Sequence, residues 1–262
     1  TLFASTEWRS GISRMSGARG KNLTVGILQC GEVLEVFQPR FGDYTTMIED
    51  KLTAVDPALS CRSWRVLDGE VPDPGMCNAW ITTGSRDSVN GNTDWTHAFC
   101  DFVSRVAKTR VPFVGICYGM QMMAKALGGE VALAEKGWGL GVARDTVYEQ
   151  MPWMGEPVQN ISLVVSHQEQ VTVLPEGAKL IAGSDFCPNS IFSVGSHMLG
   201  IQGHPEFTIE YSRALMELRR NIIPPERIAQ GINSLSRPVN GARVFDWIVS
   251  FIRTGVPTSQ AA

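Results

Sequence analysis

The stretch Val111-Pro-Phe-Val-Gly-Ile-Cys-Tyr-Gly-Met-Gln121 decides how this chain is read. Val111 to Ile116 is a short apolar run with the length and β-branching of a buried strand. From Tyr118 to Leu127 the chain is rich in Met, Ala and Leu and stops at Gly128-Gly129, as a helix with a glycine terminus does. Cys117 therefore falls on the turn from strand to helix, with Gly115 and Gly119 two residues away on either side. That is a nucleophile elbow with Cys in place of Ser. Glycine suits both flanks, because so sharp a turn presses backbone against backbone where a Cβ would clash. The turn lifts the sulfur off the sheet, and the positive end of the helix favours the thiolate, which is the nucleophile. The plainer reading is a buried cysteine that happens to lie between two glycines.

A second motif weighs against that plainer reading. Met198-Leu-Gly-Ile-Gln-Gly203 reads as another short strand and runs straight into His204-Pro205-Glu206. A nucleophilic cysteine needs a base, and the base needs an orienting partner. Alternation along an extended segment puts His204 and Glu206 on the same side, within reach of each other. Pro205 stiffens the connection by fixing its own φ. Of the four histidines, His97 and His197 sit in polar surroundings that suit loop or helix-surface residues. His204 differs, since it follows a buried-type strand and has a carboxylate at the correct offset.

Together these motifs resemble the class I (triad) glutamine amidotransferase family, whose pattern is an elbow Gly-x-Cys-x-Gly-x-Gln and a later Gly-His-Pro-Glu. This chain supplies Gly115-Ile-Cys-Tyr-Gly-Met-Gln121 and Gly203-His-Pro-Glu206, and the resemblance runs from about Leu23 to Phe207. Ser166-His-Gln-Glu-Gln-Val171 and Leu174-Pro-Glu-Gly-Ala178 make it most similar to the stand-alone GMP-synthase-like and γ-glutamyl-peptide-hydrolase-like branch. The resemblance implies a flavodoxin-like α/β fold, a mostly parallel sheet with helices on both faces. It implies a triad of Cys117, His204 and Glu206, with an oxyanion hole from the backbone N–H groups of Ser85 and Tyr118. Gly84, Gln121, Ser166, His167 and Gln168 then stand where the family contacts its substrate. Where Ser85 stands the family usually has a second glycine, which bears on the loop's conformation. Gln121 also reads as an ordinary helix-surface glutamine, and His167 as a capping or surface histidine.

Organisation along the chain agrees with that fold. Thr24 to Gln29, Trp64 to Leu67 and Ala79 to Thr82 read as strands, with helices expected over Thr45 to Leu52 and Trp95 to Lys108. Strand–helix alternation argues for a parallel sheet covered on both faces. Ligands of such sheets bind beyond the carboxyl ends of the strands, where Thr83-Gly-Ser85, Cys117 and His204 all fall. From Glu130 to Ser193 the pattern turns to short, partly antiparallel strands. After Phe207 it is helical, with one helix starting at Pro224-Pro225 and the last over Gly241 to Ile252. Residues 1–22 read as a flexible leader, 23–253 as one domain and 254–262 as a frayed tail. Cys30, at the end of the first strand, reads as packing rather than a second catalytic thiol. Asp43 reads either as a helix cap or, with Phe41 and Tyr44, as part of a specificity pocket. Arg219-Arg220 reads as a solvated helix end.

Bulk properties bound the rest. With 262 residues, 44% hydrophobic, the chain can bury a sizeable core, and its net charge of −3 gives no case for nucleic acid or an anionic membrane. Six scattered cysteines with no C-x-x-C indicate neither zinc nor a disulfide framework, and a reducing cytoplasm suits them. An α/β-hydrolase with a cysteine nucleophile is disfavoured, because there the acid precedes the histidine. The expected chemistry is hydrolysis of a γ-glutamyl amide without a metal or organic cofactor. Two arrangements stay open: a glutaminase passing ammonia to a separate synthase chain, or a free-standing hydrolase of γ-glutamyl peptides or amines. A binding protein that kept the fold and lost turnover is the third.

Overall fold

The computed structural model describes residues 22–256, so the expected leader and most of the expected tail lie outside the described residues. The chain begins with β1 (Leu23–Leu28), α1 (Gln38–Phe41), α2 (Tyr44–Val55), β2 (Leu59–Trp64) and β3 (Ala79–Thr82). There follow α3 (Asp94–Thr109), β4 (Phe113–Ile116), α4 (Tyr118–Ala126), β5 (Glu130–Leu133) and β6 (Gly139–Val147). Next come β7 (Asn160–His167), β8 (Glu169–Val173), β9 (Ala178–Gly183), β10 (Ile191–Val194) and β11 (Met198–Ile201). Three helices end the described chain: α5 (Ile209–Leu218), α6 (Pro225–Ser234) and α7 (Gly241–Gly255). Helix α7 thus runs two residues past the expected domain end at 253.

Nine strands form one sheet in the order β2-β1-β3-β4-β11-β10-β9-β6-β7. From β2 to β11 the pairings are parallel; from β11 to β7 they are antiparallel. The remaining strands, β5 and β8, make a separate antiparallel pair. In β3, β4 and β11 every residue is buried, as strands covered on both faces require. Their residues alternate between two cores. Ala79, Ile81, Val114 and Ile116 face a cluster containing Ile48 and Leu52 of α2 and Val244, Ile248 and Phe251 of α7. Trp80 and Phe113 face the other, with Phe99, Phe102 and Val106 of α3 and Met120 and Met123 of α4.

Two expectations need correction at the edge of the sheet. The strand expected over Trp64 to Leu67 instead ends at Trp64, and Val66–Asp68 is a 3-10 turn closed by left-handed Gly69. The true edge strand, Leu59–Trp64, is half polar, with Ser60, Arg62 and Ser63 exposed, and such residues help an edge avoid pairing with other chains. Asp43 occupies the N-cap position of α2 but does not bond the helix. Its carboxylate instead accepts hydrogen bonds from Gln29 Nε2 (2.7 Å) and Val33 N (3.0 Å), tying the loop after β1 to α2.

Candidate active site

Strands β3, β4 and β11 are neighbours and run parallel, so their carboxyl ends deliver Gly84, Cys117 and His204 to one edge. Cys117 has φ 50° and ψ −101°, and only Arg110 shares a positive φ among the described non-glycine residues. Such a backbone costs roughly 1–3 kcal/mol and survives only where its surroundings enforce it. Here Cys117 N donates to Ile201 O (2.8 Å), Gln121 N to Cys117 O (3.0 Å) and Ile116 N to Thr82 Oγ1 (3.0 Å). The flanking glycines are steric necessities. A Cβ on Gly115 would lie 2.5 Å from Gly119 C, and one on Gly119 would lie 1.8 Å from Thr82 Oγ1. The elbow read from the sequence is therefore the conformation the chain adopts.

His204 Nδ1 stands 2.8 Å from Glu206 Oε1, and both residues are buried. The imidazole stands beside Cys117, both facing Gly84. Burial alone would discharge the ring, but Glu206 and then Cys117 outweigh it and raise its pKa to about 10. An aromatic stack fixes the ring plane. Phe207 lies 4.0 Å from the His204 ring at an 8° interplanar angle, and Tyr44 stacks on Phe207 at 5.6 Å. Tyr44 and Tyr211 share a hydroxyl hydrogen bond of 2.9 Å behind them. Tyr44 thus serves the histidine from behind rather than lining a specificity pocket.

A raised pKa makes a statement about stability. Because the folded value of His204 lies above the ordinary 6.5, its stabilising contribution is complete below pH 6.5 and is lost as pH climbs through about 10. Removing the Glu206 charge shrinks that window. Urea unfolding of the parent chain and of Glu206→Gln at several pH values should therefore show a stability gap that narrows as pH rises from 6.5 to 10. A gap that widens over the same range would contradict the coupling.

Beside Cys117 opens a cavity of about 340 Å³, at the lower end of the range of roughly 300–1,000 Å³ for small-molecule sites. Ser85, Gln121, Ser166, His167 and Gln168 line it together with Cys117. Gly84 lies behind, and a Cβ there would meet His204 Cε1 at 2.9 Å and Cys117 Cβ at 3.7 Å. The Gly84-Ser85 loop is held from three sides. Thr83 Oγ1 donates to Gly84 O (3.0 Å), Asp87 N donates to Ser85 Oγ (3.1 Å), and Gly31 packs so closely that its Cβ would sit 2.9 Å from Ser85 Cα. Tyr118 begins α4, so its N–H has no partner within the helix. Its ring turns away onto Trp95 and Phe99.

Several side chains have roles other than those the sequence suggested. Gln121 is buried, not a helix-surface residue, and its Nε2 donates to Glu169 O (2.8 Å) and Gln202 Oε1 (3.2 Å). Gln202 in turn donates to Cys117 Sγ at 3.5 Å. It immediately precedes the Gly-His-Pro-Glu motif but carries no motif of its own. His167 is also buried rather than capping or on the surface, and neither ring nitrogen has a hydrogen-bond partner. Burial first, and His204 second, lower its pKa to about 3, so it is neutral. Arg219 is not solvated at a helix end but lines the cavity, where its Nη1 donates to Ser166 Oγ at 2.9 Å. Arg220 does behave as expected, exposed and paired with Glu217. Cys30 is fully packed, and burial pushes its thiol pKa well up. No group of three or more His, Cys, Asp or Glu among the described residues could hold a metal ion.

A cysteine elbow and a buried His–Glu pair thus meet at the carboxyl edge of the parallel strands. Residues 90–218 match the family model for glutamine amidotransferase class-I. It is 37% identical over 153 residues to γ-glutamyl peptidase 4 of Arabidopsis thaliana, covering 55% of this chain and 61% of that one. It is 32% identical over 151 residues to the glutamine-hydrolysing GMP synthase of Syntrophomonas wolfei, covering 55% of this chain and 27% of that one. The chain thus spans about three fifths of the length of the γ-glutamyl peptidase and about a quarter of the synthase. Among solved structures, a glutamine amidotransferase of Thermotoga maritima superposes with a TM-score of 0.70 at 17% identity, over 90% of this chain and 99% of that one. The fold and the family agree with the sequence reading.

Proposed function

We propose that the chain hydrolyses a γ-glutamyl amide through a γ-glutamyl thioester on Cys117. The observation that carries this reading is the positive-φ Cys117 beside a buried histidine whose Nδ1 is held by a buried carboxylate. The sulfur attacks the γ-carbonyl carbon, and the backbone N–H groups of Ser85 and Tyr118 stabilise the oxyanion. His204, charged beside Glu206, gives its proton to the leaving nitrogen as the C–N bond breaks. It then takes a proton from water, which attacks the thioester, and glutamate leaves as the C–S bond breaks. The proton lost to the leaving amine is replaced by one from water, which restores the thiolate and the charged imidazole.

Gly84, Ser166, His167 and Gln168 surround the substrate in this reading, and Gln121 contributes an acceptor. With its nitrogen already committed to Glu169 and Gln202, Gln121 has only Oε1 to offer, which suits the α-ammonium of a glutamyl group. The three-sided hold on the Gly84-Ser85 loop supports an oxyanion site that exists before substrate or a partner arrives. We therefore favour a chain that works alone over one that waits for a synthase subunit. Six free cysteines suit a reducing cytoplasm, and no helix among the described residues is long and apolar enough to cross a membrane.

The test is to offer the purified chain glutamine, γ-glutamyl dipeptides and γ-glutamyl amines and to measure glutamate. Release from at least one of them, without a second protein, is the expected result. Glutamate appearing only after a synthase chain is added would make this an ammonia-donating partner instead.

A further inference from the structure

Arg219 is the least explained charge in the molecule. It follows the last residue of α5, where a cation usually turns back onto the helix's own carbonyls. This one instead reaches into the cavity, donating to Ser166 Oγ at 2.9 Å, with its guanidinium 5.9 Å from the Trp138 ring centre. It is largely withdrawn from water, and burial lowers its pKa, a direction opposed by nearby Tyr44 and Tyr211. Among the described residues no carboxylate pairs with it; the ion pairs there involve other arginines, a lysine and His204. A second guanidinium, Arg86, lines the same cavity. Its charge works against Arg219. Two carboxylates, Asp87 and Glu169, line the cavity as well, but neither pairs with Arg219, and a half-buried cation without an anion is costly in a way that a bound carboxylate relieves.

The other charges of the cavity indicate which end of the substrate brings that carboxylate. Glu169 lines the cavity beside Gln121 and accepts from Ser88 Oγ at 2.8 Å. That wall is rich in acceptors and suits the ammonium of the glutamyl half. Arg219 comes from a different wall, together with Trp138, Ser166 and the exposed Ile222.

Building on the hydrolase reading above, we propose that Arg219 is a specificity residue that binds a carboxylate on the leaving half of the substrate. The preferred substrates are then γ-glutamyl amino acids or short γ-glutamyl peptides with a free C-terminus. Glutamine and simple γ-glutamyl amines lack that group and are turned over less well.

The experiment compares γ-glutamyl-alanine with its C-terminal amide, which differ only in the charge read by Arg219. The parent chain should favour the free acid by roughly 30-fold or more in kcat/KM, the scale expected for a buried hydrogen-bonded charge pair. In Arg219→Met that preference should fall toward parity, with the KM for the acid carrying most of the change. Arg219→Lys should keep an intermediate preference, since it retains the charge but loses the planar fork. Equal use of acid and amide by the parent chain would overturn the proposal without needing any variant. So would equal losses on both substrates in Arg219→Met, which would assign the cation to the glutamyl half or to folding. If neither compound is cleaved, the hydrolase reading fails before the specificity question arises.

Discussion

Cys117→Ser is expected to lower γ-glutamyl hydrolysis by roughly 10⁴-fold or more while leaving the fold intact. The side chains have the same shape, so Ser keeps the elbow, and its neighbours Gly115 and Gly119 are unchanged. What is lost is the nucleophile, because a hydroxyl is far harder to deprotonate than a thiol beside the same imidazole. The oxyanion N–H groups remain, so some turnover above the uncatalysed rate should survive. Steady-state glutamate release and thermal unfolding, measured on the same preparation, check both halves of this statement. Retained activity would move the chemistry to another residue; a large fall in Tm would make the loss uninformative about mechanism and contradict the expected intact fold.

The second large effect separates the two partners of Cys117. His204→Ala should cost roughly 10⁴-fold or more in kcat, because proton transfer in both half-reactions passes through that ring. Glu206→Gln should cost less, on the order of 10²–10³-fold, since an amide can still accept from Nδ1 and hold the ring while withdrawing the charge. Phe207, stacked on the ring at 4.0 Å, continues to restrain it in that variant. A loss in Glu206→Gln equal to that in His204→Ala would mean that the carboxylate does more than orient and charge the histidine. Because such groups act as a unit, the double variant should be hardly worse than His204→Ala alone.

How much of this was legible in the sequence depends on how local the cause is. The elbow was legible because part of its sterics is local: Gly115 is demanded by the backbone of Gly119, one turn further along the chain, whereas Gly119 is demanded by Thr82 of β3. His204 and Glu206 were legible from their spacing, although a turn at Pro205-Glu206, with Phe207 N donating to His204 O at 3.3 Å, rather than the expected extended segment brings Nδ1 and Oε1 to 2.8 Å. Arg219 was not. A pair of cations at the end of a helix is a normal solvated pattern, and Arg220 obeys it by pairing with Glu217. What draws Arg219 inward is Trp138 and Ser166, far upstream, brought near by the packing of α5 on β6 and β7. Asp43 was misjudged likewise, because the donors that claim its carboxylate, Gln29 and Val33, precede the loop rather than follow in the helix. The edge strand was displaced because half of its residues are polar, and Trp64 to Leu67, the more apolar run, reads as the better strand.

The central claim is a γ-glutamyl thioester on Cys117, and hydroxylamine tests it most directly. Added during turnover, hydroxylamine competes with water for the acyl group and gives γ-glutamylhydroxamate beside glutamate. If all substrates pass through one acyl-enzyme, the ratio of hydroxamate to glutamate depends on hydroxylamine concentration alone. It should then be the same for a γ-glutamyl dipeptide, a γ-glutamyl amine and glutamine, however different their overall rates, and both products should vanish in Cys117→Ser. A ratio that changes with the leaving group, or glutamate formed with no hydroxamate, would mean that water attacks the substrate directly and that no common thioester exists.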